Sequence, residues 1–74
     1  MRFSEWIDKE VVRLRISRTE VMRRLSDRLD ASGQHVSIAT LSSLDRGAKI
    51  SLYWRAKAIQ EATGRRVTIT ELCE

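Results

Sequence analysis

The chain has 74 residues, 42% of them hydrophobic and 32% charged, which is enough for one domain around one core. Fourteen Lys and Arg against ten Asp and Glu leave a net charge of +4, which favours an anionic partner such as nucleic acid or a membrane surface. The one cysteine, Cys73, excludes an intrachain disulfide, and no apolar run approaches the length of a bilayer span.

The opening MRFSEWIDKE is too acidic and polar for a secretory leader, so a cytoplasmic location is expected. The first helix is predicted from Glu5 to Arg15, with Ser4 as N-cap and Glu5 and Asp8 at the positive end of the dipole. Ile7, Val11 and Leu14, with Phe3 one turn earlier, make its apolar stripe. The second helix starts at SRTE, residues 17–20, where Ser17 and Glu20 form a capping-box pattern. Val21, Met22, Leu25 and Leu29 are its buried face, and Arg23, Arg24 and Arg28 point elsewhere. ASGQ, residues 31–34, breaks it, because Gly33 can take a left-handed conformation and Ser32 competes for backbone bonds.

Residues 36–47, VSIATLSSLDRG, predict a third, short helix capped by Ser37 and stopped by Gly47, with Leu41 and Leu44 inward and Ala48 beside them. The fourth runs from Leu52 to Thr63 and stops at Gly64, with Leu52, Ala56, Ile59 and Ala62 or Thr63 inward. The tail RRVTITELCE supports two readings. Val67 and Ile69 alternate like a strand, which could pair across a dimer, whereas Thr68 and Glu71 suit a capping box for one helical turn ending at Leu72. The helical turn, with Val67 and Leu72 folded onto the core, is preferred. The expected class is all-α: a four-helix domain over residues 1–74 with a short C-terminal turn or strand.

This pattern resembles the helix-turn-helix domains of the Cro and phage-repressor kind. Counting from Ser37, the family places an apolar residue four on, another seven on and Gly ten on; here these are Leu41, Leu44 and Gly47. After the fourth helix, AIQEATGRRVTITEL (residues 58–72) is similar to the family's Ala-Thr-Gly, Val-Thr and Leu pattern. The resemblance covers residues 17–72. It departs from the family between helices two and three, where DASGQHV puts seven residues in a turn that is commonly three or four. It implies a DNA-binding transcriptional regulator, a repressor of the self-regulating, phage or mobile-element type.

The residues of the third helix suit that role. With Leu41 and Leu44 buried, Ala39, Ser42, Ser43 and Arg46 fall on the opposite face. Three small side chains would let the backbone sit deep in a major groove, and Arg46 could make the bidentate contact to guanine that dominates direct readout. Residues 13–28 hold six arginines against Glu20 and Asp27. Arg18, at the positive end of the second helix, is a candidate phosphate ligand, as are Thr19, Arg23, Arg24, Ser37, Thr40 and Lys49. Asp45 lies near the buried side of its helix and would repel phosphate, so it is expected to pair with an arginine of the first or second helix.

One helix-turn-helix unit reads too few base pairs to bind tightly, so a homodimer on an inverted-repeat operator in double-stranded DNA is expected. Its seam is placed at Tyr53, Trp54, Val67 and Ile69, since Trp and Tyr are favoured at interfaces. The competing reading makes one of Trp6 and Trp54 a core plug and the other a half-buried cover. His35, the only histidine, reads as a loop residue. There is no metal-ligand spacing, no Gly-rich phosphate loop and no nucleophile with a base, so no enzyme, metal, cofactor or small-molecule ligand is expected. The alternative function is a small helical interaction module or antitoxin that turns its basic face to an acidic protein partner. An RNA binder is a weaker reading, since no RNA-binding motif appears.

Overall fold

Four side chains of one helix organise the molecule. Val21, Met22, Leu25 and Leu29 recur at helical spacing and are all buried. In the computed structural model, which describes residues 1–73, they belong to α2 (Arg18–Ala31). That helix packs against α1 (Phe3–Leu14), α3 (Ile38–Asp45) and α4 (Tyr53–Ala62), while the single turn α5 (Ile69–Leu72) packs on α4. The described residues are all-α, with 66% in helix and no strand.

The start of α2 follows its sequence signal. The Ser17 hydroxyl accepts the Glu20 amide at 3.1 Å. The reciprocal half of the capping box is missing, because the Glu20 carboxylate turns outward to Arg23 and Arg24.

α1 begins earlier than expected and is rotated. Arg2 is its N-cap, without a side-chain hydrogen bond, and Ser4 lies inside the first turn. Phe3 and Trp6 stack with ring centroids 6.1 Å apart, and both are buried. Burying two aromatic rings outweighs a serine cap of ~1 kcal/mol. The inner face is therefore Phe3, Trp6, Ile7 and Glu10, with Val11 partly buried and Leu14 36% exposed. Trp6 is thus the core plug, and the buried Glu10 carboxylate is satisfied by Arg13 Nε at 2.9 Å.

Three helices end in the same way. After α2, α3 and α4 the amides of Gln34, Ala48 and Arg65 return to the carbonyls of Leu29, Ser43 and Gln60. In each case a glycine sits one residue earlier, so these are Schellman caps. At Gly47 the backbone is left-handed, with φ +100°, where a Cβ would be strained. Gly47 therefore stops α3 and turns the chain toward Ile50.

The tail forms the helical turn and not a strand at residues 66–70. Thr68 makes no side-chain cap; Gln60 Oε1 accepts the Ile69 amide at 2.9 Å instead. The only extended pairing among the described residues is a parallel bridge between Ile50 and Cys73, reinforced by Ile50 N–H donating to Leu72 O at 2.7 Å. Val67 and Leu72 are fully buried, as expected.

Candidate nucleic-acid interface

α3 is held at both ends and along one face. Ser37 Oγ accepts the Thr40 amide at 3.2 Å and contacts Thr40 Oγ1 at 3.0 Å. Leu41 and Leu44 are buried against the core. The connection from α2 is Ser32 to Ser37, six residues, because α2 continues through Ala31. It is pinned rather than loose: Val36 is 1% exposed, and Ser26 Oγ, on the inner face of α2, donates to Val36 O at 2.8 Å. Sequence reasoning missed Ser26. The signal was present, since Ser26 falls in phase with Met22 and Leu29, and a hydroxyl on a buried stripe needs a partner.

The outward face of α3 carries the expected residues. Ala39, Ser43 and Arg46 are exposed and Ser42 is half-buried. Arg46 is folded back along its own helix, donating from Nη2 to Ser42 Oγ at 3.1 Å and from Nε to Ser42 O at 3.4 Å. Ser43 Oγ donates to Ala39 O at 3.1 Å. The face is smooth, with one guanidinium at its C-terminal end. Ala48 is exposed rather than beside the leucines, because the chain has already turned at Gly47.

Asp45 has the arginine partner expected for it. Arg18 Nε donates to Asp45 Oδ2 at 3.0 Å, and the same guanidinium pairs with Asp8 of α1 and with Ser4 O. The bond to Asp45, then that to Asp8, holds the Arg18 guanidinium above its ordinary range. Arg18 is therefore not an open phosphate ligand: two carboxylates occupy its donors and neutralise its charge.

The remaining phosphate candidates differ in availability. Thr19 is exposed. Arg23 pairs with Glu20 and Asp27, and Arg24 reaches Glu20 at 3.3 Å. Arg23 first, then Arg24, holds the Glu20 carboxyl down to about 2. Ser37 and Thr40 use their hydroxyls on each other, and Lys49 Nζ donates to Glu71 O at 2.7 Å. The bonds of Arg23, Arg24 and Lys49 are exposed, individually weak and exchange readily for phosphate. His35 is an exposed loop residue with Nδ1 at 2.7 Å from Asp30 Oδ1.

Of the residues placed at a dimer seam, Val67 is excluded: it is 0% exposed and part of the monomer core. Ile69 is only partly exposed and packs on that core. Tyr53 and Trp54 stand out at 50% and 69% exposure, with Leu52 beside them at 50%. Their rings meet edge-on at 5.7 Å. Trp54 is thus no half-buried cover. No helix among the described residues is long and apolar enough to cross a membrane.

No protein-family model matches the chain, and comparison with curated proteins and with solved structures finds no significant match.

Proposed function

We propose that the protein is a helix-turn-helix DNA-binding regulator, a repressor that inserts α3 into the major groove of an operator. The observation that carries this reading is the outward face of α3. Ala39, Ser42 and Ser43 are small enough for close approach, and Arg46 ends the row with a guanidinium suited to guanine. Leu41, Leu44, the Ser26–Val36 bond and the Arg18–Asp45 pair make α3 a rigid reader rather than a mobile loop. Arg18 acts as a brace. Phosphate contacts fall to Thr19, Arg23, Arg24, Ser37, Thr40 and Lys49.

A homodimer on an inverted repeat completes the proposal, with half-sites about one helical turn apart, ~34 Å. Selection from a random pool of duplex DNA, followed by gel shift with DNA upstream of the protein's own gene, tests it. Enrichment of an inverted repeat is the expected result. No enrichment would move the assignment to the second reading, a helical adaptor or antitoxin for an acidic protein, which the exposed Leu52, Tyr53 and Trp54 favour.

A further inference from the structure

Two recesses adjoin at Trp6. One, of about 300 Å³, is lined by Arg13, Arg28 and Arg66, with Glu10 among them. The other, of about 210 Å³, shares Trp6, Glu10, Arg13 and Arg28 and adds the apolar Leu14. The shared residues make them one groove, which runs from α1 and α2 to the segment after α4. Charge along it is unbalanced. Glu10 is its only carboxylate among the described residues, and Arg13 already donates to it from Nε at 2.9 Å. Arg28 and Arg66 are left without a carboxylate partner among the described residues. Arg28 is nevertheless held in place, because its Nη1 donates to Ala62 O at 2.7 Å. A cation at the C-terminal end of α4 favours the helix dipole, which accounts for Arg28. It does not account for the exposed Arg66 beside it.

We infer that this groove docks an acidic, amphipathic segment of a partner protein. Carboxylates of that segment pair with Arg28 and Arg66, whose planar guanidinium forks match a carboxylate bidentately. An apolar side chain of the segment enters the second recess beside Leu14, which is 36% exposed. The closeness of unpaired guanidiniums to an apolar recess favours a peptide over nucleic acid, since a phosphodiester backbone has nothing to place against Leu14. No residue of α3 lines the groove. Docking there therefore goes beyond the operator reading and does not depend on it. Arg24 is the one lining residue also assigned to phosphate, so the two surfaces adjoin without coinciding.

Fluorescence anisotropy of the full chain with a labelled amphipathic peptide of Glu and Leu tests this. The peptide should bind, and its Gln and Leu counterpart should bind far more weakly. Arg66→Ala should weaken the Glu and Leu peptide about 5-fold or more, with helical circular dichroism unchanged, because Arg66 is exposed. Lys49→Ala removes the same charge outside the groove and should leave peptide affinity as it was. No binding up to roughly millimolar peptide would overturn the inference. So would equal binding of the Gln and Leu peptide, which would remove the carboxylate contacts. Equal losses in Arg66→Ala and Lys49→Ala would also overturn it, by reducing the contact to net charge. If Arg66→Ala weakened duplex DNA as much as the peptide, the groove would belong to the nucleic-acid surface instead.

Discussion

Arg18, the first residue of α2, holds Asp45, the last residue of α3, through a two-pronged ion pair whose Nε–Oδ2 distance is 3.0 Å. An acidic side chain at the C-terminal end of a helix opposes the helix dipole, and α3 has no basic residue in its last turn to compensate. Arg18 supplies the compensation from a neighbouring helix and fixes the angle between the two elements. Asp8 of α1 takes another prong, so three helices meet at one guanidinium.

Asp45→Asn should therefore lower stability by about 1 kcal/mol, since the pair is partly exposed. It should at the same time strengthen non-specific DNA binding, because it removes a negative charge and releases Arg18. Thermal melts and binding to unrelated duplex DNA at low salt measure the two effects. A variant with weaker non-specific binding would show that Arg18 is not withheld by Asp45.

Leu44→Ala should destabilise the fold by roughly 2–5 kcal/mol, because Leu44 is buried in the core from the inner face of α3. Urea unfolding at neutral pH measures it. A midpoint close to that of the native protein would mean that α3 is not seated through this face.

Arg46→Ala should cost ~1–3 kcal/mol on the selected operator and flatten preference at one base position per half-site. Arg24→Ala should weaken all sequences alike. Ser43→Trp should abolish specific binding by holding α3 out of the groove, while the melting temperature stays near the native value because Ser43 is exposed. Anisotropy titrations against matched and single-mismatch duplexes distinguish the three. Normal operator binding by Ser43→Trp would mean that this face never meets DNA.

Binding should weaken steeply with salt. A dimer making ~6 phosphate contacts should give a log–log slope of about −5. A flat response would remove the phosphate contacts and favour an acidic protein partner.

Acid should loosen the start of α2. The Glu20 carboxyl is depressed from 4.5 to about 2 in the folded protein, chiefly by Arg23. Its contribution is complete above 4.5 and is lost as pH falls from there through about 2. Glu20→Gln should therefore be less stable than the native protein at neutral pH, and the difference should close toward pH 2. It should also shrink in high salt, because the pairs are exposed. A difference independent of pH would assign the effect of Glu20 to something other than its charge.

The four longer helices, the caps Ser17 and Ser37, the glycine stops and the apolar residues of the inner face of α2 were all legible in the sequence. So were the outward face of α3 and the need of Asp45 for an arginine. These features depend on residues within about two turns of one another, where spacing alone determines which groups meet. The structure decided what depends on competition between distant groups. The sequence offered Ser4 as a cap, but Phe3 and Trp6 had a core to fill, and the first helix began earlier and turned to fill it. Arg18 lay where a phosphate would be welcome, but Asp8 and Asp45 arrive from α1 and α3 and occupy it. The tail allowed Val67 either a place on the core or a strand-like place at a dimer seam, and packing seals it inside the monomer. Trp54 and Trp6 are the same residue type, and only the packing of α1 and α4 buries one and leaves the other in solvent. Burial is a property of the assembled helices, set by which surfaces are already covered when a side chain reaches them. No count along the chain contains it.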